Sequence, residues 1–140
     1  MNAVAMNAIA VKAMKGDAVL RTILIDHFTN SNPGIEKGAL QNLCQQYSTN
    51  EFLRNNYRRL ANECRQNPNA MNGWGTNASH ILLLHLYPHF GPQLPWATGL
   101  ANLDPTIFEA WIADRYDYHC QCTYQTMNDI LPALGIRPPF

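Results

Sequence analysis

The sequence has few charged residues, and this scarcity excludes several classes of protein. Only 14% of the 140 residues are charged, and ten basic residues balance ten acidic ones. A chain with zero net charge has no overall attraction to nucleic acid or to an anionic membrane. Because 46% of the residues are hydrophobic, the composition is also unlike that of a disordered protein. The length is typical of one domain, so residues 1–140 are expected to form a single domain.

Cysteines and long apolar runs are scarce as well. Four cysteines do not form a dense disulfide framework, and free thiols are the expectation for a chain of this length. No apolar run approaches the ~18 residues that are needed to cross a bilayer. The first fifteen residues lack the early basic region of a signal peptide, and Asn7 and Lys12 interrupt their apolar run. These features predict a soluble, cytoplasmic protein with no membrane partner.

No segment alternates between apolar and polar residues over the length of a strand. Apolar residues recur instead at the spacing of helices, which predicts an all-α bundle of about six helices. The expected helices lie at about 3–15, 18–29 and 35–47, then from a cap at Ser48 to about 66, at 79–87, and from 104 onward. The helix at 79–87 is apolar on every side, so we expect it to be the buried centre of the bundle. Two long loops that contain proline, glycine and tryptophan precede and follow it.

Local signals predict where the helices begin and end. Gly16 is expected to end the first helix, and Asp17 is expected to cap the second one. The segment that begins at Ser48 fits a capping box, in which the Ser48 hydroxyl would bind the amide of Glu51. The last helix either runs to about residue 131 or breaks near Cys120.

Three histidines, at positions 80, 85 and 89, lie on or beside the predicted central helix. Positions five apart on a helix differ in direction by about 140°, so His80 and His85 point apart. Pro88 ends the helix before His89. We therefore expect one or two buried, hydrogen-bonded histidines and one exposed histidine here, with no metal site and no cofactor.

The segment from His119 to Cys122 is the second place where chemistry is conceivable. His119 and Cys122 share a helix face, with Cys120 between them, but structural zinc usually needs a second pair of ligands. A reactive thiolate is disfavoured by the nearby Asp114 and Asp117. Because no catalytic motif is present elsewhere, the sequence favours a protein that is not an enzyme. A metal- or thiol-dependent activity at this segment is the third functional hypothesis.

Residues 35–66 have the coarse outline of a helix-turn-helix unit. The outer face of its second helix would present arginine and asparagine, the side chains suited to bidentate contacts with guanine and adenine. These residues are Arg54, Asn55, Arg58, Arg59, Asn62 and Arg65. The turn lacks glycine, and zero net charge is unfavourable for a DNA-binding protein. A DNA-binding regulator is therefore the second hypothesis.

The favoured hypothesis is a small protein that binds another protein as an inhibitor, immunity factor, adaptor or regulator. Tryptophan and arginine dominate the energetics of protein interfaces, and loops on a rigid bundle often carry binding residues. Basic residues are concentrated near position 58 and acidic residues in the C-terminal quarter, a segregation that would also suit a homodimer. The predicted protein-binding residues are Trp74, Phe90 and Trp96 in the loops, with Arg54 and Arg58.

Overall fold

The computed structural model describes residues 3–66 and 104–136, with side chains at 7–59 and 105–136. Five helices occupy these ranges: α1 at Ala3–Ser31, α2 at Lys37–Gln46, α3 at Asn50–Gln66, α4 at Asp104–Tyr118 and α5 at Thr123–Ala133. No strand is present in the described ranges, which confirms the all-α prediction for them. The predicted central helix at 79–87 and the two long loops lie outside the described residues.

Gly16 does not end a helix, and the prediction of two short helices at 3–15 and 18–29 is wrong. α1 runs through Gly16 without interruption for 29 residues, a length of about 43 Å. The absence of a side chain at Gly16 allows α1 and α4 to pack closely, because a Cβ atom there would lie 1.7 Å from the backbone oxygen of Glu109 in α4. Glycine is therefore required at this close contact of two helices, and Asp17 lies inside α1 rather than at a cap.

The hydrophobic core lies mainly between α1 and α4, which contact each other more extensively than any other pair of described helices. α1 contributes a row of aliphatic side chains, and α4 contributes larger ones. The fully buried members are Leu20, Ile23 and Leu24 of α1 with Ile107, Phe108, Trp111 and Ile112 of α4. α3 and α5 complete the cluster, with Leu53, Tyr57, Ile130 and Leu131. Each such side chain contributes roughly 1.5–3 kcal/mol by burial.

α2 and α3 form the expected pair of helices joined by a three-residue turn. The cap of α3 differs from the prediction, because the hydroxyl of Thr49 accepts the amide of Phe52 at 3.1 Å. The Ser48 hydroxyl instead donates to the carbonyl of Cys44 at 2.9 Å, so the predicted capping box at Ser48 is wrong. Tyr47 in the turn packs between Phe28 and Phe52, with ring centroids 5.8 and 5.2 Å away.

The predicted last helix is divided into α4 and α5 by a turn near Cys120. This is one of the two alternatives that the sequence predicts. The amide of Gln121 donates to the carbonyl of Tyr116, and the amide of Cys120 donates to that of Asp117. This pair of bonds is the Schellman arrangement that closes a helix. Cys120 and Gln121 have φ values of 53° and 62°. Residues other than glycine rarely adopt this left-handed backbone conformation.

Candidate functional site

The longest helix carries apolar side chains on two opposite sides. Its inner side holds Ile9, Ala13 and Leu20 against the core. Its outer side holds Val11, Met14, Ala18 and Ile25, which we call the outer stripe. Val11, Met14 and Ile25 are 59%, 76% and 45% exposed, and Ala18 is exposed as well. Since each residue advances by about 100° around a helix, these four lie within about 60° of one another.

The outer stripe is unusual for a chain of this kind. Five large hydrophobic side chains are exposed in the described ranges, and three of them are its members. Single exposed apolar residues need no explanation, but contiguous apolar surface is a feature of interaction sites. The spacing of three, four and seven residues is that of a seam between packed helices. The stripe therefore has the pattern of a helix-binding surface.

The charged residues beside the outer stripe are already neutralised within the chain. Lys12 Nζ lies 2.7 Å from Asp114 Oδ1, and Lys15 Nζ lies 2.5 Å from Asp117 Oδ1. The hydrogen bond from Lys15 lowers the pKa of Asp117 below its usual value. These pairs join α1 to α4, so the basic side chains bordering the stripe do not form a bare cationic surface.

A shallow groove borders each side of the outer stripe. The larger one has a volume of about 680 Å³ and lies between α1 and α2. Ile25 and Leu40 contribute apolar surface to it, and Arg21 and Lys37 contribute positive charge. The smaller one, about 250 Å³, reaches from Ala18 to Tyr116 and Thr123. The stripe is thus accessible, with a groove on each side of it.

A second cluster, at the junction of α4 and α5, is built around the buried carboxylate of Asp129. Asp129 Oδ2 accepts Arg115 Nε and lies against His119 Nε2, both at 2.8 Å. The side chains of Arg115 and Asp129 are each only 7% exposed. Arg115 also lies over the ring of Tyr118, 4.2 Å from its centroid. This network connects α4 to α5 across the turn between them, so its role is structural.

The same cluster bears on the third hypothesis, a metal- or thiol-dependent activity. One ring nitrogen of His119 is committed to Asp129, while Cys120 is exposed and Cys122 is partly buried as free thiols. The described part of the chain contains no group of three or more His, Cys, Asp or Glu residues that would hold a metal ion. Cys44 is free as well, and burial raises its pKa. The described contact of His119 thus belongs to the network around Asp129.

Two acidic side chains meet where α1 and α4 cross. Glu109 is hydrogen-bonded to Asp17, and Arg21 Nη2 lies 3.2 Å from Asp17 Oδ2. Burial, together with the charge and hydrogen bond of Asp17, raises the pKa of Glu109 to about 7. Glu109 therefore retains its proton up to about neutral pH, because burial and the neighbouring carboxylate both disfavour its charged form. The pair is an electrostatic feature of the helix crossing.

The residues predicted to contact DNA do not all share one role. Arg54, Asn55 and Arg58 lie on α3, where Asn55 and Arg58 are exposed and Arg54 is partly so. Arg59 Nη2 instead binds Asn56 Oδ1 at 2.9 Å and the carbonyl of Ala133 at 3.3 Å. It thereby places positive charge at the C-terminus of α5, where a cation is favoured by the helix dipole.

The remaining predicted site residues lie outside the described side chains. They are Asn62 and Arg65, whose backbone belongs to α3, and Trp74, Phe90 and Trp96. In the described helices no segment is long and apolar enough to cross a membrane. Comparisons with known protein families, with curated proteins and with solved structures find no match to this chain.

Proposed function

We propose that this chain is a protein-binding protein without a catalytic task, of the inhibitor, immunity, adaptor or regulator type. The observation that carries the proposal is the outer stripe of α1. Val11, Met14 and Ile25 expose apolar surface on the side of the helix that faces away from the core. Exposed apolar rows on a well-packed helix are characteristic of protein interfaces. Trp74, Phe90, Trp96, Arg54 and Arg58 remain proposed as a second part of the binding surface.

The test is affinity capture from an extract of the native cell, with bound proteins quantified by mass spectrometry. Met14→Glu places a charge at the most exposed member of the stripe and should remove the specific partner. Gln125→Glu adds the same charge at an exposed position of α5 and should leave capture unchanged. Loss of a defined protein with Met14→Glu alone supports the proposal. A partner that both variants retain would show that the stripe is not the binding surface, and no specific partner would contradict the function.

A DNA-binding regulator is the second candidate, and the geometry of α2 and α3 favours it. Two helices are joined by the short turn 47–49, and the second helix presents Asn55 and Arg58 to solvent. Arg59 supports α5 instead, which reduces the cationic surface available for phosphate contacts. A gel-shift titration at two salt concentrations tests this candidate, because phosphate contacts make affinity fall steeply with salt. Absence of binding to any duplex at low salt would exclude it.

A further inference from the structure

We propose that the outer stripe of α1 binds the outer stripe of a second copy of this chain. The two α1 helices would run antiparallel, with a two-fold axis passing beside Ala18. This inference rests on the proposed protein-binding function and names the partner. It follows from the symmetry of the stripe, from the size of its central residue and from the ion pairs at its borders.

The arrangement of the stripe is symmetric about Ala18. Val11 lies seven residues before Ala18 and Ile25 lies seven residues after it, which is about two helical turns in each direction. A two-fold axis at Ala18 therefore brings Val11 of one copy opposite Ile25 of the other, twice. Met14, four residues before the axis, faces Thr22, which lies four residues after it and is exposed. Such a self-complementary patch is the defining property of a two-fold interface.

The residue at the centre of the stripe is the smallest of its members. Interaxial distances of packed helices depend on the side chains at the contact, and alanine at the crossing allows the close end of the 8–10 Å range. The larger Val11, Met14 and Ile25 then lie away from the crossing, where the seam requires more volume. The two grooves beside the stripe, at Tyr116 and at Leu40, leave room for the second helix.

The charges beside the axis are compatible with a second copy. Lys15 and Arg21 lie three residues before and after Ala18, about 60° to either side of it, so the same axis places each of them on the same side of the interface as its counterpart in the second copy. Two bare cations would repel, but Lys15 is paired with Asp117 and Arg21 with Asp17. Each copy thus presents ion pairs rather than isolated charges. Because the charges of Lys15 and Arg21 are already balanced within each copy, they favour a second copy over a strongly charged peptide.

The primary experiment measures mass against concentration by sedimentation equilibrium, with the intact chain between about 1 µM and 1 mM. We expect the wild-type chain to shift from 15.8 kDa toward twice that mass over this range. Val11→Asp and Ile25→Lys should each weaken dimerisation at least tenfold. Gln125→Asp, at an exposed position of α5, is the matched control and should dimerise like the wild type.

Combining the two substitutions in one chain tests the position of the axis. The variant with both Val11→Asp and Ile25→Lys places opposite charges face to face in both halves of the interface, so dimerisation should recover at least tenfold over either single variant. The variant with Val11→Asp and Ile25→Asp carries the same number of changes and should remain monomeric. Circular dichroism confirms folding of each variant. If a charge unfolds the chain, Val11→Ser and Ile25→Ser remove the apolar surface and should still weaken the dimer.

Each other outcome overturns a defined part of the inference. A wild-type chain that stays at 15.8 kDa up to about 1 mM shows that the partner is not a second copy. The protein-binding function survives that result if Met14→Glu still removes a different protein from the extract, and it fails if no protein is captured. Dimerisation that Val11→Asp and Ile25→Lys leave unchanged shows that another surface is used. Equal behaviour of the two double variants shows that the axis does not pass beside Ala18.

Discussion

Gly16 has no side chain at a point where the backbones of α1 and α4 lie close together. Alanine is normally preferred to glycine inside a helix by about 1 kcal/mol. Here its Cβ atom would lie 1.7 Å from the backbone oxygen of Glu109, and a backbone atom cannot move aside as a flexible side chain can. We expect Gly16→Ala to lower the free energy of unfolding by about 1–3 kcal/mol, the usual cost of overpacking. Urea denaturation measures the change.

Gly38 is the matched control for this substitution. It also lies inside a helix, but a Cβ atom there would meet nothing within 4 Å. Gly38→Ala should therefore stabilise the protein by a few tenths to about 1 kcal/mol, because it reduces the freedom of the unfolded chain. If Gly16→Ala stabilises the protein as Gly38→Ala does, the close contact of α1 with the Glu109 backbone is wrong.

Glu109 gives stability an unusual dependence on pH. Its pKa is raised from 4.5 to about 7 in the folded chain, mainly by burial and then by Asp17. Between these values the folded state holds a proton that the unfolded state has released, so stability is lost as the pH rises from 4.5 to 7. Glu109→Gln cannot ionise. We expect this variant to gain about 1–2 kcal/mol over the wild type between pH 4 and pH 8, a figure reduced because Glu109 is partly exposed.

Thermal or urea unfolding of both proteins across this pH range tests the prediction, and His27 must be taken into account. Burial lowers the pKa of His27, so its contribution to stability is lost as the pH falls below 6.5, the opposite direction to that of Glu109. The difference between the wild type and Glu109→Gln cancels the effect of His27. Two stability curves that stay parallel from pH 4 to pH 8 would show that Glu109 does not retain its proton.

At the scale of helices, Asp129 joins α4 to α5. Its carboxylate is almost fully buried between Arg115 and His119. Asp129→Ala would leave the buried guanidinium of Arg115 without this carboxylate, and removal of one partner of a buried ion pair typically costs about 3–5 kcal/mol. We expect a loss of that size in the free energy of unfolding. Asp117→Ala is the control, since the exposed pair with Lys15 should contribute at most about 1 kcal/mol. Equal losses would mean that the Asp129 network is not the main connection.

The helix pair α2 and α3 was predictable because apolar residues recur at helical spacing on both sides of a short polar turn. The break near Cys120 was foreseen only as an alternative, since neither Cys120 nor Gln121 is a residue that favours the left-handed backbone found there. The hydroxyl that caps α3 comes from Thr49 rather than from its neighbour Ser48. Adjacent residues with the same donor and acceptor groups are not distinguished by sequence spacing alone, because the turn geometry decides which of them reaches the amide.

At the scale of the whole molecule, the helical character of residues 3–66 and 104–136 was predictable and the arrangement of their surfaces was not. The core contact between α1 and α4 joins residues about 90 positions apart, and local patterns do not contain such pairings. The outer stripe was missed for a definite reason. In the sequence Gly16 favours a helix end, and a helix that ends there separates Val11 and Met14 from Ala18 and Ile25. Glycine at a close helix contact and glycine at a helix end are identical in the sequence, and the partner backbone distinguishes them.

The uneven distribution of buried side chains also predicts how local stability varies across the molecule. α5, with 11 residues, buries six of them, whereas α2, with 10 residues, buries none. The contact of α2 with the core is made by partly buried side chains, including Leu40, Leu43 and Cys44. Segments with little buried surface open by themselves without global unfolding.

In native-state hydrogen exchange we therefore expect α2 amides to exchange at least about tenfold faster than those of α5, after correction for intrinsic rates, which corresponds to about 1.4 kcal/mol. Amides in α1 and α4 that face the core should exchange most slowly of all, near the rate set by global unfolding. Protection in α2 equal to that in α5 would show that α2 is held by contacts stronger than its partly buried residues provide.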